Sequence, residues 1–522
     1  ELLLNRQAMA SHTFITGSTG TGKSNAVYHL LDEITKNGQT TFLVVEPAKG
    51  EYKNVFGNCT DVQVFGTNPR ETPLLRMNPF AFPENIHILE HIDRLVEIFN
   101  ACWPMYAAMP AVLKDAIERS YQKVGWDLRN SESEKGVFPT FFDLLDILPG
   151  VIEESHYSKD TQSDYVGALC TRVKSLTNGI YGSVLCAEDA LTDEALFDRN
   201  VVVDLSRVGS METKSLLMGI LVMKLQEYRM CSSGMNSRLR HVTVLEEAHN
   251  LLRKTSAEQS QEGANLQGKS VEMLANAIAE MRTYGEGFII ADQAPGLLDM
   301  SVIRNTNTKI ILRLPDEEDR KLVGKSAALK EAQIDELSKL PLGVAAVYQN
   351  EWPEAVLCKI EAYPMPENAV YHKPSKMPHE INAEFVFGQL AVGKELEPLS
   401  SSEMEQLKLW LKRHETVLKP EDDRYLERVF AGGELDVAKT RKAVFDFFGG
   451  ISTVVDYCAA AEKSLTPRKE FLEQLQGQYG LKAAAADWVL NSVISMGMSL
   501  NPDAKAVDNL RTNFEQQGGR VL

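Results

Sequence analysis

The sequence predicts a doubly wound α/β domain followed by an all-helical domain. In the first 360 residues, short β-branched runs alternate with helical stretches, an order typical of a parallel sheet covered by helices. Most of these runs are continuously apolar rather than alternating, as expected for strands buried on both faces. Beyond about residue 400 the strand signal is gone, and helical spacing continues to the end of the chain.

Nine segments have the composition and length of strands. Seven of them suit the interior of a parallel sheet, and the last two flank residues 350–353 as the arms of an antiparallel hairpin would. The predicted strands are His12–Thr16, Thr41–Val45, Val62–Phe65, Val201–Leu205, Val242–Leu245, Gly287–Ala291, Thr308–Leu312, Gly343–Gln349 and Glu354–Ile360.

Helical spacing without strand signals predicts a helical insertion at about residues 84–180 of an α/β domain that spans residues 1–362. Clustered prolines predict a linker at residues 363–380, and the helical domain covers residues 381–522. The polar stretch Arg129–Gly136 is expected to be a loop. The predicted helices are Ile86–Cys102, Ala111–Val124, Phe141–Ser155, Glu403–Glu415, Pro420–Ala431, Val437–Phe448, Thr453–Ser464, Pro467–Gly477 and Leu481–Met496.

The composition is that of a globular protein and excludes several classes. The 522 residues are 44% hydrophobic and 24% charged, which is enough apolar material for a sizeable core. No apolar run approaches the ~18 residues of a membrane span, so we expect no membrane association and a cytoplasmic location. The seven cysteines form no CxxC pair, which argues against a zinc ribbon. The net charge of −17 excludes a basic nucleic-acid coat but not a narrow basic channel.

A phosphate-binding loop is the strongest functional signal. Residues 17–24, GSTGTGKS, match G-x-x-x-x-G-K-S/T between a predicted strand and the predicted helix Lys23–Thr35. Backbone N–H groups of such a loop surround a phosphate at the positive end of the helix dipole. Lys23 can reach the β- and γ-phosphates, and Ser24 offers a hydroxyl to Mg²⁺. The pattern predicts ATP as ligand, bound by Gly17, Ser18, Thr19, Gly20, Thr21, Gly22, Lys23, Ser24 and Asn25.

Two carboxylates follow the predicted strand Val242–Leu245. An apolar strand that ends in paired acids suits a phosphate-loop enzyme, in which Glu246 holds Mg²⁺ through water and Glu247 orients or deprotonates the attacking water. The first acid is usually Asp, and the extra methylene of Glu246 moves the carboxylate by about 1.5 Å. The alternative interpretation is an exposed acidic loop.

A third signal lies around residues 280–293, where a helix ends and a strand follows. Gln293 is expected at the carboxyl end of that strand, the edge at which open α/β sheets bind ligands, so its amide can sense a γ-phosphate. Arg282 is a candidate arginine finger for a neighbouring subunit, and the alternative is a solvated residue at a helix C-terminus. Arg304 and Arg313, which flank a later strand, are the next candidates.

Together these segments resemble the HerA–FtsK group of ring-forming motor ATPases, and its HerA-type members most. The resemblance implies a RecA-like ATPase core and a homohexamer with ATP and Mg²⁺ between subunits and double-stranded DNA in the pore. It also implies that Glu247 activates water, Gln293 senses phosphate and Arg282 reaches the neighbour's ATP. The matching segments are His12–Asn25, Val44–Tyr52, Leu245–Leu251, Arg282–Gln293 and Asn305–Leu314.

Two departures from the family pattern bear on this interpretation. Glu246 stands where the family usually has Asp, so high ATPase activity is not assured. The amino-terminal β-barrel of HerA is absent from this sequence, which starts at Glu1, and we expect a further segment upstream.

Two other patterns carry weaker signals. The polar stretch Arg253–Ser270, with Arg253, Lys254 and Lys269, lies where a ring motor can place a pore loop that contacts DNA phosphates. The alternative there is a disordered surface loop. Residues 87–91 fit H-x-x-E-H, but no third ligand is evident, so we expect His87 and His91 on a polar helix face rather than in a zinc site.

These observations predict an ATP-hydrolysing ring motor that translocates or unwinds double-stranded DNA. The resemblance extends to a nuclease or NAD-cleaving effector as partner, in DNA processing or antiphage defence. The alternatives are a conjugation or type IV secretion ATPase and an ATP-dependent hexameric scaffold for an effector enzyme.

Overall fold

The computed structural model divides into two compact units, Glu1–Lys373 and Pro374–Leu522. It describes residues 2–36, 38, 40–106, 108–133, 137–187, 190–255, 263–365, 369–373, 383–392, 398–399, 403–404, 407–408, 419–461, 463–464, 466–479 and 481–522.

One nine-stranded sheet forms the centre of the first unit, in the order β11-β10-β9-β1-β8-β7-β2-β6-β3. It is parallel from β9 to β3, and β10 and β11 add an antiparallel edge. All nine predicted strands are confirmed to within two residues at each end. Including a two-stranded hairpin, the strands are β1 Thr13–Thr16, β2 Thr41–Glu46, β3 Val62–Gly66, β4 Trp126–Asp127, β5 Glu132–Ser133, β6 Asn200–Asp204, β7 His241–Glu246, β8 Glu286–Asp292, β9 Thr308–Ile311, β10 Val344–Gln349 and β11 Val356–Lys359.

The central strands are buried on both faces, which explains their continuous apolar sequences. In β1, Phe14 packs into the core on one side of the sheet and Ile15 into the core on the other. Neighbouring residues of β2, Leu43 and Val44, divide between the same two cores. Because side chains alternate along a strand, a run without polar residues requires helices on both faces.

Helices cover both faces, and α3 to α8 make up most of the stretch predicted as a helical insertion. The expected loop Arg129–Gly136 is wrong in part, because Glu132–Ser133 pairs with Trp126–Asp127 as the β4–β5 hairpin, and residues 134–136 lie outside the described residues. The helices are α1 Lys23–Thr35, α2 Tyr52–Phe56, α3 Ile88–Cys102, α4 Met109–Lys123, α5 Phe141–Glu154, α6 Lys159–Tyr165, α7 Thr171–Thr177, α8 Gly179–Leu185, α9 Asp193–Phe197, α10 Met211–Ser232, α11 Gly263–Glu280, α12 Met300–Arg304, α13 Glu317–Ser326 and α14 Glu331–Glu336.

The second unit is helical, as predicted, and has a core of its own that includes Val444, Tyr457 and Ile494. Most of the predicted helix Glu403–Glu415 lies outside the described residues. No single described helix is long and apolar enough to cross a membrane, and one pair bent by 70°, Val437–Phe447 and Ile451–Ala461, meets the criterion only when combined. The helices are Ala383–Val392, Pro420–Phe430, Val437–Phe447, Ile451–Ala461, Pro467–Tyr479, Ala483–Leu500 and Ala504–Gln516.

Candidate active site

The phosphate-binding loop connects β1 to α1 and borders a cavity of about 450 Å³. Gly20 and Gly22 adopt φ values of +76° and +106°, a region that side chains rarely occupy. A Cβ atom at Gly20 would meet nothing within 4 Å, so the loop forms an open cradle. Thr21 does not face the cavity, because it is buried and its hydroxyl donates to the Ser18 carbonyl at 2.7 Å. The predicted loop residues on the cavity wall are Gly17, Ser18, Thr19, Gly20, Gly22, Lys23, Ser24 and Asn25.

Lys23 is buried at the start of α1 and faces both predicted carboxylates. Its Nζ lies 3.1 Å from Oε1 of Glu247 and 3.7 Å from Oε2 of Glu246. The two glutamates, Glu246 and Glu247, are 5% and 8% exposed, so the alternative of an exposed acidic loop is wrong. Parallel strands bring these groups together because the carboxyl ends of β1 and β7 lie at the same edge of the sheet.

Glu246 is held by a residue outside the catalytic motifs predicted from the sequence. The Tyr52 hydroxyl, at the start of α2, donates to Oε1 of Glu246 at 2.5 Å. Burial raises the pKa of Glu246, while Lys23 and the Tyr52 hydrogen bond lower it. The only sequence signal for Tyr52 was its place in the Val44–Tyr52 segment that carried the family resemblance.

Glu247 and Gln293 meet beside the phosphate-binding loop. Gln293 donates through Nε2 to Oε1 of Glu247 at 2.5 Å and accepts from the Thr19 hydroxyl at 2.6 Å. Glu247 has a left-handed backbone, with φ +44° and ψ 53°, which costs on the order of 1–3 kcal/mol for a side chain of this kind. Its Oε2 is buried without a hydrogen-bond partner among the described residues.

Part of the chain matches a known protein family. Residues 2–223 match the central domain of helicase HerA. The first unit therefore contains a domain similar to HerA-type P-loop ATPases. It is 25% identical over 378 residues to the DNA double-strand break repair helicase HerA of Sulfolobus acidocaldarius, a match that covers 70% of this chain and 67% of that protein.

Two solved structures share the fold of the HerA-type domain. VirB4 of Thermoanaerobacter pseudethanolicus superposes with a TM-score of 0.53 at 19% identity, over 68% of this chain and 90% of that one. The plasmid coupling protein TrwB, in complex with a non-hydrolysable GTP analogue, superposes with a TM-score of 0.50 at 14% identity, over 71% and 90%. The RecA-like P-loop ATPase core is therefore confirmed, and the chain is an ATP-hydrolysing enzyme.

The donor set of the HerA-type domain suits a nucleotide with Mg²⁺. The open glycine cradle and Lys23 match phosphate groups, and the Ser24 hydroxyl and the Glu246 carboxylate are oxygen ligands of the kind that Mg²⁺ prefers. Asn25 borders the cavity but has a structural task as well. Its side chain donates to the Glu361 carbonyl at 2.8 Å and accepts from the Tyr363 N–H at 2.7 Å, which fastens the segment after β11 to α1.

The three candidate arginines lie at different edges of the sheet. Arg282 is exposed in the turn Met281–Tyr284 before β8, so it lies at the amino edge, opposite Gln293. Arg304, at the end of α12 before β9, is exposed at the same edge. Arg313 follows β9 at the carboxyl edge, where its carbonyl accepts the Ser18 N–H at 3.0 Å. Arg282 therefore does not reach the nucleotide cavity of its own subunit.

The basic stretch predicted as a pore loop is only partly a loop. Residues 263–270 belong to α11, and residues 256–262 lie outside the described residues. Arg253 pairs with Leu298 in an isolated bridge, and the Lys254 N–H donates to the Leu297 carbonyl at 2.8 Å. The side chains of Arg253, Lys254 and Lys269 are exposed.

The prediction for the H-x-x-E-H pattern is wrong in one respect. His87 is half-buried and caps the N-terminus of α3, where its Nδ1 accepts the Leu89 N–H. His91 does not lie on a polar face: it is fully buried, with Nδ1 2.9 Å from Oε2 of Glu227 on α10. Among the described residues, the one cluster with metal-like spacing is Glu247, His249 and Asp292, which includes neither His87 nor His91.

Proposed function

We propose that this chain is an ATP-driven motor that translocates or unwinds double-stranded DNA. The observation that carries the proposal is the convergence of Lys23, Glu247 and Gln293 at one sheet edge, in a domain related to HerA. The sequence relative in Sulfolobus acidocaldarius is named as a DNA double-strand break repair helicase, whereas the likeness to VirB4 and TrwB shows the fold alone. We therefore place the DNA motor before a conjugation or secretion ATPase.

In the proposed reaction each group has one task. The glycine loop and Lys23 bind the phosphates, and Lys23 leaves its carboxylate partners to do so. Ser24 and Glu246 would hold Mg²⁺, which neutralises charge on the phosphate oxygens. Glu247 orients the attacking water and accepts its proton. Gln293, bonded to both Thr19 and Glu247, links the phosphate loop to the base and senses the γ-phosphate.

A homohexameric ring completes this site in the proposal. Arg282 is exposed at the edge opposite its own cavity and has no ion-pair partner among the described residues, so it is free to reach the nucleotide of a neighbouring subunit. Exposed Arg253, Lys254 and Lys269 would contact DNA phosphates without reading bases. A nuclease or NAD-cleaving effector, in DNA processing or antiphage defence, is the proposed class of partner, in the cytoplasm.

The deciding experiment measures ATP hydrolysis and movement together. We expect duplex DNA to stimulate ATPase activity and the protein to displace a triplex-forming strand from a duplex in an ATP-dependent way. Mass measurement with and without ATP and DNA tests ring formation. ATP-dependent rings that displace no strand and whose ATPase ignores DNA would contradict the motor and support the scaffold alternative, which Glu246 in place of Asp favours.

A further inference from the structure

Asp292, at the end of β8, joins the two loops that carry Glu247 and Gln293. Its Oδ2 accepts the backbone N–H of His249 at 2.8 Å and lies 2.9 Å from Nδ1 of the His249 ring. Its Oδ1 accepts the Ala294 N–H at 2.9 Å. Asp292 is fully buried, so one carboxylate fixes the turn after β7 and the turn after β8.

His249 is a second basic group beside Glu247. Its Nδ1 lies 3.6 Å from Oε2 of Glu247, the oxygen without a hydrogen-bond partner among the described residues, while Lys23 approaches Oε1. An ionised Asp292 only accepts hydrogen bonds, so Nδ1 carries the proton. The ring nitrogen that faces the carboxylates is thus a donor to Asp292, and the same nitrogen lies 3.6 Å from Glu247.

The charges around the imidazole favour its protonated form. The hydrogen bond to Asp292 is the largest effect that raises the pKa of His249, and the charges of Asp292 and Glu247 add to it. Partial burial and the Lys23 charge lower this pKa. When ATP phosphates attract Lys23, that opposing charge moves away from the ring and Glu247 loses its closest cation.

We propose that His249, held by Asp292, is a positioning residue that keeps the Glu247 carboxylate directed toward the attacking water once Lys23 has turned to the phosphates. This inference rests on the proposed role of the site in ATP hydrolysis, but not on DNA binding or ring formation. The sequence offered no chemical reason to single out His249 or Asp292, because their partnership crosses from β7 to β8.

Turnover by the full chain tests the proposal, with His249→Gln as the main variant. A glutamine amide can still donate to Asp292, so it keeps the fold but carries no charge. We expect His249→Gln to bind ATP with unchanged affinity, to lose at least about tenfold in kcat, and to lose the fall in kcat at alkaline pH that reports deprotonation of His249. His156→Gln, at an exposed histidine of the insertion, is the matched control.

A wild-type kcat and pH profile in His249→Gln would overturn the proposal, and so would a change in KM alone. A second measurement does not depend on turnover. In protein with ¹³C-labelled histidines, Glu247→Gln should lower the pKa of His249 because it removes a facing negative charge; an unchanged pKa would refute the contact. Absence of ATPase activity in the wild type would instead refute the proposed function, and the titration would still decide whether the two residues interact.

Discussion

The ammonium group of Lys23 and the carboxylate of Glu247 form a buried ion pair, with Nζ 3.1 Å from Oε1 and both side chains at most 10% exposed. The group proposed to bind phosphate therefore neutralises the group proposed to activate water. In the proposed reaction ATP separates the two side chains, so nucleotide binding also frees Glu247 to act as the base. The strained backbone of Glu247 and the Gln293 amide hold the carboxylate in place meanwhile.

Replacing the lysine tests the binding half of this relationship. Lys23→Ala removes the cation that faces the β- and γ-phosphates, so ATP binding should be lost. It also leaves two buried carboxylates without their cation, and breaking a buried pair typically costs about 3–5 kcal/mol of stability. Binding of a fluorescent ATP analogue and chemical denaturation measure the two effects. Lys36→Ala, at an exposed position after α1, should change neither, and wild-type ATP affinity in Lys23→Ala would contradict the assignment.

Glu247→Gln tests the catalytic half. The amide keeps the size of the side chain but accepts no proton, so turnover should fall by about 10²–10⁴-fold while ATP binding persists. Binding should be no weaker than in the wild type, because Lys23 has lost a competing carboxylate. Steady-state ATPase and nucleotide trapping check this, with exposed Glu354→Gln as control. If Glu247→Gln hydrolyses ATP near the wild-type rate, Glu247 is not the catalytic base.

Arg282 is expected to complete the site of a neighbouring subunit. Arg282→Ala should bind ATP almost normally but hydrolyse it on the order of 10³-fold more slowly, as for loss of a trans arginine in related phosphoryl transfer. Mixed rings of Lys23→Ala and Arg282→Ala subunits should regain activity that neither variant has alone. If subunits exchange and no activity returns, Arg282 is not a trans finger. Arg304→Ala, at the same edge, is the matched comparison and the next candidate.

DNA binding should depend strongly on salt and little on sequence, because the candidate side chains are directed at phosphates. Substituting Arg253, Lys254 and Lys269 together with alanine should flatten the plot of log affinity against log salt by up to about 0.9 for each DNA phosphate that the variant no longer neutralises. Fluorescence anisotropy with a labelled duplex measures the slope. A control removes the same charge at exposed Lys325, Lys330 and Lys339. If the plot of log affinity against log salt has the same slope in the wild type and the triple variant, these side chains do not contact DNA.

Burial of Glu46 makes stability depend on pH. Burial raises its pKa from an ordinary 4.5 to about 8, against the opposing hydrogen bonds from the Glu51 and Tyr52 N–H groups. The folded state then binds the extra proton, so this contribution to stability is complete below 4.5 and is lost as pH rises through about 8. Between about pH 6 and 9, the Tm of Glu46→Gln should fall less than that of the wild type. If Tm falls equally with pH in Glu46→Gln and in the wild type, Glu46 is ionised in the folded state. Glu33→Gln, at an exposed position, is the control.

Local sequence was sufficient for most elements of the first unit. Runs such as Val201–Val203 are buried on both faces, and their continuous apolar composition predicts that burial. The phosphate-binding loop was equally readable, because its glycines, lysine and serine are consecutive and their spacing is set by backbone geometry. His91 was misjudged for the opposite reason, since the group that makes its burial tolerable, Glu227, lies on a distant helix.

The sequence by itself determined the nine strands of the main sheet, several of the long helices and the loop that cradles phosphate, because each depends on neighbours along the chain. Only the tertiary structure decided that Tyr52 holds Glu246 and that Asp292 holds His249. These relationships follow from the strand order, which places β7 between β2 and β8 and aligns their carboxyl ends. These side-chain hydrogen bonds join residues that follow different strands, so they depend on the strand order and on burial. The spacing of residues along one strand predicts neither.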